Sequence, residues 1–175
     1  KKGIPTKINF FGKKLAKEIA NDYKADLILG NNVLAHVPDI NDFVSGLQYV
    51  LKPNGVVTFE FPHLLELIKQ TQFDTIYHEH YSYLSLLSVN NVVNKHGLRV
   101  FDVEKLHTHG GSLRVYLCHD NDSRETLPAV KELLTVEDEF GLTDLNTYQN
   151  VQHEAEKIKN NLVKFEIKAA RPEML

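Results

Sequence analysis

Polar and apolar residues along the first 62 positions predict a helix, a strand, a second helix and a second strand, in that order. Residues 11–24 show the apolar spacing of an amphipathic helix between lysines, and the apolar run ADLILG follows at 25–30. A second helical pattern starts near Ile40 and precedes the apolar run VVTFEFP at 56–62. This alternation with short connections is typical of a doubly wound α/β sheet.

The second helix has start and stop signals. Asp39 or Asn41 is suited to cap its first turn, and the run Pro53-Asn54-Gly55 is expected to end it. The two apolar runs are therefore predicted to be adjacent parallel strands at 26–30 and 56–61, joined by this helix. ADLILG is bounded by polar residues, which favours a strand that is buried on both faces of the sheet.

The rest of the chain predicts short helices and an antiparallel strand pair. HLLELIKQ at 63–70 has the pattern of a short helix, and VNNVVNKHGL at 89–98 that of a helix closed by Gly97. Residues 99–120 alternate like two antiparallel strands at a sheet edge, joined across 107–111. Two surface helices are predicted last, over 125–140 and 144–170. The fold class is α/β, the second half of a doubly wound sheet with an antiparallel edge pair and C-terminal helices.

Composition narrows the function classes. Hydrophobic residues make up 42% and charged residues 25% of the chain, close to globular averages, and the formal net charge is -3. Lysines and arginines are spread along the chain, so we expect no nucleic-acid partner and no membrane partner. The single cysteine, Cys118, fits a reducing cytoplasm, which is the expected location, and is interpreted as a small buried residue on a strand.

A phosphate-binding turn is missing from the sequence. No Gly-x-Gly-x-x-Gly pattern occurs, although such a turn usually cradles a nucleotide or an adenosyl cofactor at the start of this type of sheet. We therefore expect the chain to be a fragment of a larger protein.

Candidate chemistry lies where the two parallel strands end. In α/β sheets, ligands bind at the carboxyl ends of the strands. Asn31, Asn32 and His36 follow the first strand, and the stretch YHEHYSYLS at 77–85 follows the second. The free pKa of histidine lies closer to neutral than that of any other side chain, so several histidines at one cleft favour proton abstraction and stabilisation of a developing oxyanion.

A metal site is the alternative for the histidines of this stretch. His78 and His80 are two residues apart and would share a face only on a strand, and the sequence has neither an H-E-x-x-H motif nor a cysteine cluster. We therefore expect no transition metal at residues 77–80. The other histidines are interpreted as solvated or locally satisfied, namely His63, His96, His119 and His153.

Several quoted segments together resemble one enzyme family. NNVLAHVPDINDFVSGLQYVLKPNGVVTFEFPHL, FDTIYHEHYSYLS, HGLRVFDVEKLHTHGGSLRVYL and FGLTDLNTYQN are similar to the S-adenosylmethionine-dependent C-methyltransferases of nucleotide-linked keto-sugars. The resemblance covers nearly the whole chain. Members of that family have an N-terminal zinc module, a central methyltransferase domain and a C-terminal Rossmann-like domain. Against that pattern, we expect this chain to be a fragment without the two terminal parts, and its sequence has no glycine-rich turn.

The resemblance implies a Rossmann-like class I methyltransferase sheet, S-adenosylmethionine as cofactor and a nucleotide-linked keto-deoxysugar as substrate. Residues 1–120 would be a partial methyltransferase domain, and residues 121–175 a helical segment leading toward a C-terminal nucleotide-binding domain. Zinc is expected only in the N-terminal module that the chain lacks. Without the glycine-rich turn, this chain would supply only part of the cofactor site.

The family motif also implies residue roles. His80 would be the general base that removes the proton beside the ketone, and Glu79 would orient or tune it. Tyr77 and His36 would hold the sugar and stabilise the enolate oxygen, whose carbon then attacks the methyl group of the cofactor. The residues implied to border the cofactor are Asn31, Asn32 and Val33. Those implied to contact the substrate are His109, Gly110, Gly111, Ser112 and Arg114.

Other interpretations remain open at this point. The asparagines also fit ordinary turn chemistry, and the two glycines a hairpin turn. For the whole chain the alternatives are a Rossmann-type oxidoreductase, which would need a nicotinamide phosphate turn, and a non-catalytic binding module.

Overall fold

The computed structural model of the chain describes residues 3–170. The helices are α1 (Lys13–Asp22), α2 (Ile40–Val50), α3 (Leu64–Lys69), α4 (Leu86–Asn94), α5 (Pro128–Phe140) and α6 (Leu145–Ala170). The strands are β1 (Ala25–Asn31), β2 (Leu51–Pro62), β3 (Leu98–Leu106) and β4 (Ser112–His119).

The four strands form one mixed sheet in the order β1-β2-β4-β3. β1 and β2 are parallel neighbours with α2 between them in the chain, which confirms the predicted pair. β4 runs antiparallel to β2, and β3 runs antiparallel to β4 at the sheet edge, as the alternating pattern predicted. The predicted cap is confirmed at Asp39, whose carboxylate accepts a hydrogen bond from the backbone N–H of Asp42 at 2.9 Å.

The expected end of α2 at Pro53-Asn54-Gly55 is wrong. α2 ends at Val50, and β2 already begins at Leu51, which pairs with Ala25. The next paired residues are Leu27 and Val56, so the proline, asparagine and glycine form a bulge within the strand. Such a bulge absorbs extra residues without breaking the strand pairing, so these turn formers interrupt a strand instead of ending a helix.

The hydrophobic core lies on one face of the sheet, under α2, α4 and α5. Side chains that alternate along β2 and β4 point into it, because neighbouring strand residues face opposite sides. The central core residues are Val44, Leu47, Val57, Phe59, Phe61, Leu86, Val89, Leu113, Val115, Val130 and Leu133. α5 therefore contributes to the core, whereas most of α6 is exposed.

The expectation that the ADLILG strand is buried on both faces is wrong. Leu27 is 55% and Leu29 is 68% exposed. β1 is an edge strand of the described sheet, and these two side chains alternate with Ile28, which packs against the core, so they point to the opposite face and stay exposed. An apolar run is therefore no proof that both faces of its strand are covered.

The long helix α6 has 26 residues. Within residues 3–170, no helix combines the length and the apolarity that a bilayer crossing requires.

Cys118 is buried on β4, as its interpretation predicted. Burial raises the pKa of its thiol above the ordinary value, so less of the reactive thiolate forms near neutral pH. We expect a disulfide reagent at pH 8 to label Cys118 at least about tenfold more slowly in the folded protein than in the urea-unfolded protein. Equal labelling rates in the two states would contradict the buried position.

Candidate active site

The loops after β1 and β2 meet at one end of the sheet. A short helical turn at Leu34–His36 follows β1, and Leu34 and Ala35 anchor it in the interior. The carbonyl of Ala35 accepts hydrogen bonds from the backbone N–H groups of Tyr81 at 2.9 Å and Ser82 at 3.2 Å. These two bonds hold the histidine-rich segment at 77–82 against the turn that carries His36.

His80 has a partner at each ring nitrogen. Its Nδ1 lies 2.9 Å from the carbonyl oxygen of Thr75, and its Nε2 lies 3.1 Å from the hydroxyl of Tyr77. A carbonyl only accepts, so Nδ1–H donates to Thr75, and in the neutral ring Nε2 then accepts from the tyrosine O–H. This tautomer gives Nε2 a lone pair on the side of Tyr77, as a general base requires.

His36 lies beside His80 and is held in a similar way. Its Nδ1 lies 3.0 Å from the carbonyl oxygen of Glu79, to which it donates. The two imidazole rings are 4.7 Å apart between centroids, and the ring of Tyr83 meets His80 edge-on at 5.9 Å. His36, His80 and Tyr77 therefore form one cluster of rings, in which Tyr77 is 42% exposed.

The two residues between Tyr77 and His80 point elsewhere. His78 and Glu79 are exposed. Glu79 joins the cluster through its backbone carbonyl, on His36, while the group that fixes the His80 ring is Thr75. Within residues 3–170, no group of three or more histidine, cysteine or acidic side chains lies close enough together to bind a metal ion.

A cavity of about 720 Å³ opens next to this cluster. Asn32, Val33 and His36 form one side of it, and Phe10 and Phe11 from the N-terminal segment form another. Asn32 has a left-handed backbone with φ of 53°, an arrangement that asparagine tolerates better than most residues. Turn chemistry and cavity lining therefore coincide at this position.

The turn between β3 and β4 borders a second cavity of about 420 Å³. Gly110, Gly111 and Ser112 line it, together with Lys105 and His107. Both glycines have positive φ, 73° and 120°, which a turn of this shape requires.

The remaining residues of this turn are oriented differently. The Ser112 hydroxyl is turned inward and donates to the carbonyl of Thr108 at 3.0 Å. His109 is exposed, and it lines neither of the two cavities described above.

Arg114 and Asn31 do not point into either cavity but toward a buried carboxylate. Arg114 Nη2 donates to Glu60 Oε2 at 3.0 Å, and Asn31 Nδ2 donates to the same oxygen at 3.4 Å. The hydrogen bond to Glu60 raises the pKa of the Arg114 guanidinium above its ordinary value, which keeps the arginine charged.

Several residues of this region were not predicted from the sequence. Glu60 had a detectable signal, because a charge inside the apolar run VVTFEFP is rare unless it is paired. Thr75 had none, because it acts through its backbone carbonyl, which every residue type has. Phe10 and Phe11 look like the flank of a helix in sequence and are brought to the cavity only by the packing of Phe11 on Phe43, with ring centroids 5.3 Å apart.

Two protein families and one curated relative match most of this chain. Residues 4–103 match a family described as methyltransferase domain, and residues 107–173 match a family described as C-methyltransferase C-terminal domain. The C-methyltransferase NovU of Streptomyces niveus is 38% identical over 159 residues, which make up 90% of this chain and 38% of NovU. The chain therefore spans about two fifths of the length of that relative.

Solved structures give weaker similarities. Magnesium protoporphyrin IX methyltransferase from Synechocystis PCC 6803 aligns at a TM-score of 0.43 and 14% identity, over 55% of this chain and 46% of the other. An S-adenosylmethionine-dependent methyltransferase from Clostridium acetobutylicum ATCC 824 aligns at a TM-score of 0.44 and 12% identity, over 56% and 59%.

Proposed function

The chain belongs to the S-adenosylmethionine-dependent C-methyltransferase family, and from this premise we propose that its protein methylates a carbon atom of a nucleotide-linked keto-deoxysugar. Sugar carbons are poor nucleophiles. Beside a ketone, however, such a carbon can lose a proton, because the electron pair spreads onto the ketone oxygen as an enolate. The reaction therefore needs a base for the proton and a donor for the oxygen.

His80 is the proposed base. Its Nδ1–H is held by the Thr75 carbonyl, so its Nε2 lone pair takes the proton from the sugar carbon. The Tyr77 hydroxyl, 3.1 Å from that nitrogen, turns to the enolate oxygen as a neutral donor. When bound, S-adenosylmethionine would supply an electrophilic methyl group to the enolate carbon, with S-adenosylhomocysteine as the leaving group.

His36 and Glu79 have supporting roles in this proposal. His36 contacts the sugar beside His80, with the two ring centroids 4.7 Å apart. Glu79 fixes the orientation of His36 through its carbonyl, while its carboxylate remains exposed to solvent. The family motif implied that Glu79 orients or tunes His80. We propose that the Thr75 carbonyl orients His80 instead.

The cavity of about 720 Å³ is the proposed place of the cofactor. Its walls are largely apolar, with Phe10, Phe11 and Val33, and they suit the adenine and methionine parts. Asn32 and His36 are polar residues of the wall on the side of β1, and the neighbouring Asn31 is held by its bond to Glu60. The group therefore fits the residues present.

The cavity of about 420 Å³ is the proposed place of the nucleotide part of the substrate. Gly110, Gly111 and Ser112 form its wall, Lys105 offers a cationic donor to a diphosphate, and His107 offers a ring N–H. His109, at the exposed tip of the turn, and Arg114, held by Glu60, complete the proposed substrate segment.

One observation carries the proposal: the chain of contacts from the Thr75 carbonyl through His80 to the Tyr77 hydroxyl, next to His36. The test is transfer of a labelled methyl group from S-adenosylmethionine to a nucleotide-linked keto-deoxysugar by the full-length protein. We expect a labelled C-methyl product, and none from the matched sugar in which the ketone is reduced to a hydroxyl. Equal labelling of both sugars, or stabilisation in a thermal-shift assay by NAD but not by S-adenosylmethionine, would contradict it.

A further inference from the structure

Glu60 is a nearly buried acid on the sheet face opposite the core. It stands near the end of β2, in register with Asn31 on β1 and with Arg114 on β4, and only 7% of it is exposed. A buried carboxylate is stable only if donors surround it. The donors around Glu60 come from two different parts of the candidate site.

Four contacts join Glu60 to these parts. On one side, Oε2 accepts from Asn31 Nδ2 at 3.4 Å, and the backbone carbonyl accepts from Asn32 N–H at 2.8 Å. On the other side, Oε2 accepts from Arg114 Nη2 at 3.0 Å, and Oε1 accepts from Thr108 Oγ1 at 3.3 Å. One residue therefore contacts the loop proposed for the cofactor and the turn proposed for the substrate.

Glu60 is bonded to the two neighbouring strands in different ways. On the side of β1, the Glu60 carboxylate acts through Asn31, while the left-handed Asn32 is held by the Glu60 backbone carbonyl, which does not depend on the side chain. Arg114 has a second acid within reach, Glu104, whose Oε2 lies 3.4 Å from Nη1 and whose side chain is 49% exposed. Without the charge of Glu60, the guanidinium would shift toward Glu104 and solvent, and the turn at Thr108 would lose a bond.

We propose that Glu60 is a positioning residue that couples the cofactor loop to the substrate turn, so that binding of either ligand orders the site for the other. This inference rests on the proposed function. The Glu60 carboxylate acts through Asn31, Thr108 and Arg114 and touches neither reacting atom. The coupling is reciprocal, as thermodynamic linkage requires.

The test measures this coupling in the full-length protein. The affinity for S-adenosylhomocysteine, which cannot transfer a methyl group, is determined with and without a saturating nucleotide-linked keto-deoxysugar. We expect the sugar nucleotide to raise the affinity by about fivefold or more in the wild type and by less than about twofold in Glu60→Gln. Glu104→Gln, which removes the exposed acid of the same arginine, is the matched control and should retain the wild-type ratio.

A purely structural role for Glu60 predicts a different result. It would weaken both affinities or lower the Tm but leave the ratio unchanged, and that outcome would overturn the inference. If Glu60→Gln does not fold, Thr108→Val removes one of the links without touching the buried charge, and the ratio should then fall part of the way. A wild type that transfers methyl groups but shows no coupling would overturn the inference alone, whereas a wild type without methyl transfer would contradict the proposed function.

Discussion

Replacing Glu137 with alanine is expected to lower the free energy of unfolding by about 3–5 kcal/mol. Glu137 is fully buried on α5, and its Oε1 lies 2.8 Å from Nε2 of His63, which is 2% exposed. The same carboxylate accepts from the backbone N–H groups of Leu86 at 2.7 Å and Leu87 at 2.8 Å, at the start of α4. Alanine would leave a buried imidazole and two helix-end donors without this partner, and each such loss is costly.

The matched control is Glu139→Ala, which removes an exposed acid from the same helix. Both variants make the same change in helix propensity, so the difference between them isolates the buried contacts. Urea unfolding followed by circular dichroism measures the two free energies, and the Tm of the Glu137 variant should fall by about 10 °C. A loss of less than about 1 kcal/mol for Glu137→Ala would show that water satisfies these groups instead.

The sequence could have indicated this acid. Val130, Leu133 and Glu137 follow one another at the three- and four-residue spacing of a buried helix face, and all three are buried. A buried charge on such a face needs a hydrogen-bonding partner, but the neighbouring sequence does not identify that partner. The interpretation of His63 as solvated or locally satisfied is wrong, because His63 is buried and its partner Glu137 is 74 positions away in sequence. Only the fold brings the two together.

Strands and helices were predictable because their signals are local. The parallel pair β1 and β2, the antiparallel pair β3 and β4, and the cap at Asp39 all depend on periodicity or on residues a few positions apart. The errors came from features that are not local. Whether another element covers Leu27 and Leu29, and whether Pro53 to Gly55 breaks a helix or bulges a strand, depends on neighbours that periodicity does not reveal.

Some residues of the candidate site could likewise be predicted from local sequence, and others could not. Tyr77, Glu79 and His80 attract notice because chemistry-bearing residues are crowded in one short run. The carbonyl of Thr75 and the carboxylate of Glu60 are the proposed orienting groups, and their partners in these hydrogen bonds are visible only in the three-dimensional structure. Family resemblance names residue types at motif positions, whereas the hydrogen bonds that set a tautomer have to be read from the structure.

Replacing His80 with asparagine in the full-length protein is expected to lower turnover by about a hundredfold or more, while the affinity for S-adenosylmethionine stays nearly unchanged. The proposed base acts on the sugar proton, and it is absent from the lining of the cavity proposed for the cofactor. Steady-state methyl transfer measures the first effect, and equilibrium binding the second. His78→Asn is the matched control, because His78 is an exposed histidine in the same run and its replacement should have a much smaller effect.

Proton exchange separates the role of His80 from methyl transfer itself. In deuterated water without a methyl donor, a base that removes the proton beside the ketone exchanges it for deuterium, which mass spectrometry of the sugar nucleotide detects. Where the wild type exchanges, the His80 variant should not, and the His78 variant should. If turnover and exchange both survive in His80→Asn, the proton goes to another group. Tyr77 and His36 are then the next bases to test, because their rings lie 4.2 Å and 4.7 Å from that of His80.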